Sequence, residues 1–163
     1  RYPNHFNKFV NEAPIKVSEK GNQTINFYDD AVLYNDFVIS EIIEKVRSIN
    51  ASSWVLYLSD HGEDVYRVNN SATHTESFGT YPMYDVPFIL WTSPEFEFPE
   101  SFSFEKSRKY MLDDLLFSVA HLSSIYFKSF QSERSIFNES FKQRERQIYQ
   151  KKDYDSIYKE KHN

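Results

Sequence analysis

The run Trp54-Val55-Leu56-Tyr57-Leu58, bounded by Ser53 and Ser59, ends abruptly in Asp60-His61-Gly62-Glu63. Five consecutive apolar residues between turn formers are too few for a helix and predict a strand buried on both faces, as in a parallel sheet. A second run, Val86-Pro87-Phe88-Ile89-Leu90-Trp91, predicts another strand. Pro87 has no N–H to give to a ladder, so it belongs at the strand start or on an edge. Before the first strand, Ile25, Tyr28, Val32, Ile39, Ile42, Ile43 and Val46 recur at three-to-four spacing and predict a helix from Thr24 to about Ser48, with Thr24 as N-cap. After the second, Met111, Leu112, Leu115, Leu116, Val119, Ala120 and Leu122 predict a helix over Phe104 to Ser123. Helix, buried strand, loop, buried strand, helix is the order of an α/β sandwich.

The ends of the chain are less regular. Pro3, Pro14, Gly21 and several Asn interrupt any period in the first 23 residues. Residues 142–161 are rich in Lys, Arg, Glu and Gln, with Tyr149, Tyr154, Ile157 and Tyr158 as anchors, and predict a surface wrap or a terminal helix. The chain opens on Arg1 and not on Met, and is expected to be a portion of a longer protein.

Composition narrows the chemistry. The 163 residues suit one ordinary domain, and 40% hydrophobic with 18% aromatic content is enough for a core. A net charge of -5 without a basic stripe argues against nucleic acid as a partner. The absence of cysteine excludes disulfides, thiolate zinc sites and cysteine nucleophiles. With three glycines, at 21, 62 and 79, neither G-x-x-x-x-G-K-[ST] nor G-x-G-x-x-G is present. No stretch approaches the roughly 18 apolar residues of a membrane span.

Ligands of open α/β sheets bind outside the carboxyl ends of the strands, which is where Asp60 and His61 fall. Alternate strand side chains point to opposite faces, so two adjacent residues share a ligand only where the chain turns, and Gly62 is expected to supply unusual backbone angles for that turn. Two readings of Asp60-His61 stand: a capped, solvated turn, or a metal site. Carboxylate oxygen and imidazole nitrogen both suit zinc at roughly 2.0–2.2 Å. His74, in the loop Ser71-Ala72-Thr73-His74-Thr75-Glu76-Ser77, is either a third participant or a solvated loop histidine. Glu63 and Glu76 are further acidic candidates, Glu63 equally suiting an acidic helix start. His121, among Leu and Ala at helical spacing, reads as a hydrogen-bonded core histidine. His5 is a candidate to approach the cleft, and His162 a solvated tail residue.

LYLSDHGE, a loop histidine and then VPFILW together resemble the C-terminal half of the sulfatase and alkaline-phosphatase superfamily, and within it the phosphoethanolamine transferases of Gram-negative inner membranes. NFYDDAVLYNDFVISEII resembles the helix before their metal strand. RYPNHF resembles the segment after their Gly-Ser-His…Tyr motif, and RSIFNESFKQRERQIY with the later YDS is similar to their C-terminal region. The resemblance covers nearly the whole chain.

It implies that residues 1–163 form the C-terminal part of an alkaline-phosphatase-like three-layer α/β/α sandwich, facing the periplasm in a protein anchored in the inner membrane. It implies that Asp60 and His61 are zinc ligands, that His74 meets the phosphoryl group or a second metal, and that Glu63 lies near the site. The implied activity is zinc-assisted transfer of phosphoethanolamine from phosphatidylethanolamine, through a threonine nucleophile, to lipid A, core oligosaccharide or another periplasmic acceptor. That threonine and the remaining zinc-binding carboxylate belong to the family's N-terminal half, outside this chain, and Thr73, Thr75 and Thr80 lack its sequence context. A fragment of this kind is expected to be inactive alone, to need the missing N-terminal half as partner, and to expose a sheet edge open to dimerisation. A sulfatase or phosphodiesterase-type hydrolase of the same superfamily, and an inactive remnant with a binding or structural role, are the alternative readings.

Overall fold

A computed structural model describes residues 2–10, 17–75 and 77–158. The chain divides into two compact units, Arg1–Phe96 and Glu97–Asn163.

The first unit is built on one long helix, α1, Glu19–Arg47. Its N-cap is Ser18, whose hydroxyl oxygen accepts the Gly21 N–H at 3.1 Å. The expected cap, Thr24, lies inside the helix and donates to the Lys20 carbonyl at 2.9 Å. The helix stops at Ser48, whose hydroxyl donates to the Lys45 carbonyl, and Asn50 follows in the left-handed region at φ 52°. Strand β1, Trp54–Leu58, pairs antiparallel with β4, Phe88–Thr92, from Trp54↔Thr92 to Leu58↔Phe88. Between them lie β2, Asp64–Val65, β3, Ala72–Thr73, and the one-turn helix α2, Tyr81–Tyr84.

Two expectations are corrected here. The pair β1–β4 is antiparallel, not parallel, and every residue of β1 is half-buried instead of buried on both faces. Among the described residues no third strand joins this sheet, so its side chains lack the cover a parallel interior would give. The α1 apolar residues also do not form one buried face: Tyr28, Val32 and Ile42 are exposed. The helix instead packs in two directions. Gly21 lies under the Tyr66 ring, and Asn35 donates to the Tyr57 hydroxyl at 2.6 Å. On another side Phe6, buried, meets Tyr34 and Phe37 at ring separations of 4.9 and 5.3 Å. Buried Asp30 anchors the N-terminal segment by accepting the Lys8 and Phe9 amides and the Tyr2 hydroxyl.

The second unit is mostly loop. The helix expected over Phe104 to Ser123 shortens to α3, Leu115–Leu122, preceded by a 3-10 turn, Leu112–Asp114. The backbone just before the expected start is taken by tertiary hydrogen bonds, Phe102 bridging Asn138 and Ser103 N–H donating to the Phe137 carbonyl, and one Arg108 side-chain nitrogen donates to the carbonyls of Ser103, Ile136 and Asn138. The tail expected as a wrap or terminal helix holds a two-residue strand pair, β5 (Gln147–Ile148) with β6 (Lys152–Asp153), and the one-turn helix α4, Tyr154–Ile157.

His121 is the hub of this unit and is fully buried, as expected of a core histidine. Asn138 Oδ1 accepts the Ser140 N–H at 2.9 Å, which turns its amide nitrogen toward His121 Nε2 at 3.2 Å. Nε2 is therefore the acceptor, and Nδ1–H donates to the Ser135 hydroxyl at 3.1 Å. Burial lowers the His121 pKa.

Candidate metal centre

Strand β1 delivers Asp60 and His61 at its carboxyl end, and the turn that follows is held by backbone. Gly62 N–H donates to the Met83 carbonyl at 2.9 Å. A Cβ at Gly62 would lie 2.0 Å from the Pro82 carbonyl oxygen and 2.8 Å from that of Asp85. This corrects the expected reason for the glycine. None of the described glycines has positive φ, and Gly62 serves close backbone packing instead of an unusual backbone angle.

That packing brings three of the anticipated residues together. Ligand atoms of His61, Glu63 and His74 all lie within 4.8 Å of one another. Glu63 Oε2 is 3.0 Å from His74 Nδ1, and the imidazoles of His61 and His74 stack with centroids 4.1 Å apart. All three are accessible, with side-chain exposures of 47%, 30% and 57% for His61, Glu63 and His74. Asp60 stands at the edge of the group. Its side chain is 91% exposed, Oδ1 accepts the His61 N–H at 3.0 Å, and Oδ1 lies 4.0 Å from His61 Nε2. His61 Nδ1 lies 2.9 Å from the Gly62 carbonyl oxygen, which leaves Nε2 facing outward.

Two imidazoles and a carboxylate are a zinc-type donor set. Donor atoms of a tetrahedral zinc site sit about 3.3 Å apart; Asp60 Oδ1 lies 4.0 Å from His61 Nε2, and the ligand atoms of His61, Glu63 and His74 lie within 4.8 Å of one another. The residues present therefore fit the metal.

The remaining candidates fall elsewhere. His5 is exposed in the turn Asn4–Phe6 and lies 4.4 Å from the Phe6 ring. His121 is buried in the second unit. Glu76 and His162 lie outside the described residues. Thr80 has a structural partner: its hydroxyl donates to Asp64 at 2.8 Å.

Asp64 is the residue that sequence reasoning missed. Its carboxylate is 0% exposed and accepts the N–H groups of Arg67, Val68 and Asn69 at 2.8, 3.0 and 2.9 Å. Burial alone would raise its pKa, but these amides and the Thr80 hydroxyl outweigh it and hold the carboxyl below the usual range. An aspartate three to five residues before a turn ending in Asn69-Asn70 is the readable signal of such a capped loop. Inside the loop Tyr66 adopts φ 57°, and its ring lies over Gly21.

Comparison with known proteins places the chain in a family. The chain is 34% identical over 170 residues to the phosphoethanolamine transferase EptC of Escherichia coli strain K12, covering 96% of this chain and 30% of that protein. It is 35% identical to the phosphoethanolamine transferase CptA of Salmonella typhimurium, with the same two coverages. It thus spans about 30% of the length of these curated relatives. The crystal structure of the C-terminal periplasmic domain of EptC from Escherichia coli, in complex with Zn, superimposes with a TM-score of 0.84 at 32% identity, over 91% of this chain and 43% of that one. The match shows that this chain has the mixed α/β fold of that domain. The sulfatase family model matches residues 1–123, taking in α1, the His61–Glu63–His74 group and α3 alike, and the chain belongs to the sulfatase family.

Proposed function

We propose that this chain forms the C-terminal part of the catalytic domain of a zinc-dependent phosphoethanolamine transferase and supplies part of its metal site. The observation that carries the reading is the convergence of His61, Glu63 and His74 at the carboxyl end of β1, with Asp60 beside them. Its relatives of similar sequence are phosphoethanolamine transferases, and one is known as a zinc complex. The donor is proposed to be phosphatidylethanolamine, and the acceptor a lipopolysaccharide-type phosphate or hydroxyl on the periplasmic side of the inner membrane. Among the described residues no helix is long and apolar enough to cross a membrane.

His61 and Asp60 would hold the zinc, which when bound supplies positive charge beside the transferred phosphoryl group. Glu63 accepts a hydrogen bond from His74 Nδ1–H and so turns His74 Nε2 toward the open side of the site. There Nε2 carries the lone pair of that tautomer and would either meet a metal ion or take up the proton of an attacking hydroxyl. The exposed positions of α1, Tyr28, Val32 and Ile42, and the free edges of the β1–β4 pair would be covered by the rest of the catalytic domain. Dimerisation through that edge is the competing use of the surface, and sedimentation of the chain distinguishes the two.

The test is a chimera in which this chain replaces the matching 170-residue stretch of the Escherichia coli relative. We expect the chimera to bind zinc and to transfer phosphoethanolamine from phosphatidylethanolamine, and its Asp60→Ala/His61→Ala variant to lose both. Zinc-dependent release of phosphoethanolamine to water in place of transfer would favour the hydrolase reading. A folded chimera with zinc uptake unchanged by the double substitution would overturn the metal assignment.

A further inference from the structure

Strands β2 and β3 have two residues each, too short to hold the connecting loop by their own ladder. Their register is Asp64↔Thr73 and Val65↔Ala72. One step outward from the Asp64↔Thr73 pair come Glu63 and His74, whose side chains meet at 3.0 Å. The geometry of that metal-side pair is therefore set by whatever fixes Asp64 and the loop end.

The buried Asp64 carboxylate does so. Oδ1 gathers the Arg67 and Val68 amides, closing the loop on the β2 side. Oδ2 takes the Asn69 amide and the Thr80 hydroxyl, reaching past His74 to the chain that returns to α2. The α2 turn is in turn tied to both flanks of the site, because Met83 accepts the Gly62 N–H on its carbonyl at 2.9 Å and the Thr75 N–H on its sulfur at 3.4 Å. Asp64 is 0% exposed and has no free face for an ion or a substrate.

We propose that Asp64, with Thr80, is a positioning residue of this site: the buried carboxylate and the hydroxyl together hold His74 against Glu63, fixing the His74 Nδ1–H tautomer and leaving Nε2 as the outward nitrogen. This rests on the proposed function in taking His74 as a residue of the metal site. A carboxylate that merely capped a loop would fix the amides of residues 67–69 and leave the His74 ring indifferent. A positioning carboxylate fixes both, and partners of this outer kind typically shift metal affinity about 10–100-fold.

The experiment compares the full chain with its Asp64→Asn, Thr80→Val and Thr80→Ser variants. Long-range proton–nitrogen correlation spectra of the imidazoles, recorded without metal at a pH where both rings are neutral, report the His74 tautomer. Amide spectra report the fold, and competition with a chromophoric chelator reports zinc affinity. We expect wild type and Thr80→Ser to show a single Nδ1–H tautomer at His74. Asp64→Asn and Thr80→Val should show averaged tautomers and zinc binding weakened about tenfold or more, with the amide resonances of residues 97–158 unmoved. If Asp64→Asn does not fold, Thr80→Val carries the test, since it keeps the carboxylate and its three amide donors. A wild-type tautomer in Thr80→Val, or in Asp64→Asn with only the amides of 67–69 exposed to exchange, would overturn the proposal. Averaged tautomers in the variants of a chain that takes up no zinc would sustain the positioning role and refute the metal reading instead.

Discussion

Replacement of Gly62 by alanine tests whether the site is set by backbone contact. A Cβ there would stand 2.0 Å from the Pro82 carbonyl oxygen, against the 3.0 Å below which real Cβ contacts essentially never fall, and 2.8 Å from the Asp85 carbonyl oxygen. Both obstacles are main-chain atoms, so no rotamer relieves them. Relief requires the 59–63 turn and the α2 turn to part by about 1 Å, and overpacking of that kind costs about 1–3 kcal/mol. Parting also breaks the 2.9 Å bond from Gly62 N–H to Met83, about 1 kcal/mol more. Gly62→Ala should therefore lose about 2–4 kcal/mol of stability. Gly21→Ala is the built-in control. Its new Cβ meets Tyr66 Cε1 at 3.0 Å, which a small ring movement accommodates, and Val17 Cβ at 3.2 Å, which must give by a few tenths of an ångström. Alanine inside a helix gains about 1 kcal/mol over glycine, so the net change there should be near zero. Urea unfolding followed by tryptophan fluorescence reads both, since Trp54 and Trp91 lie on β1 and β4 of the same unit. Gly62→Ala within about 0.5 kcal/mol of wild type at unchanged slope would refute the argument. So would Gly21→Ala proving the more damaging of the two.

In the second unit, hydrogen bonds from Arg146 hold the Asp155 carboxyl down to about 2, Lys109 adding to them and partial burial opposing. A depressed carboxyl contributes stability that is present above its unfolded value near 3.9 and is lost as pH falls toward about 2, here about 1–2 kcal/mol after solvent screening. Asp155→Asn should flatten the acid limb of an unfolding curve, and an unchanged limb would count against the pairing. His121 has a lowered pKa, so its contribution is complete above its unfolded value of about 6.5 and is lost as pH falls below that, at up to about 1.4 kcal/mol per pH unit. Denaturant midpoints of the unit containing α3, measured from about pH 7.5 to 5, should fall accordingly. A flat profile would show that the buried imidazole accepts a proton without loss.

Both long apolar runs were legible as strands because a short apolar run bounded by turn formers has strand length and composition, and β1 has the expected bounds. Pro87, expected at the strand start or on an edge, immediately precedes β4, which begins at Phe88. Strand direction was not legible, because an apolar run carries no mark of parallel or antiparallel pairing. The short α3 was overestimated for a different reason. The backbone of 101–103, just before the expected start, is bonded to residues 137–139 far along the chain, and the Arg108 side chain is drawn to the Ile136 and Asn138 carbonyls. At the site, His61, Glu63 and His74 were nameable from the DHGE motif and its loop, yet the Glu63–His74 contact depends on a two-residue ladder that no periodicity marks. Asp64 escaped notice because a single aspartate among Glu63, Tyr66 and Arg67 looks like surface until its four donors are seen around it.

The His121 hub also bears on how the second unit reaches its native state. It joins Ser101, Ser135 and Asn138 across chain separations of 20, 14 and 17 residues, and Ser101 bonds Asn138 directly across 37. Among the described residues around it there are an eight-residue α-helix, a one-turn helix and little sheet, so few local contacts form early. Each of these loops must lose its chain freedom before the imidazole rewards the closure, and that order of events slows folding. The unit should therefore fold slowly for its size, with a polar junction as one of the last contacts to set.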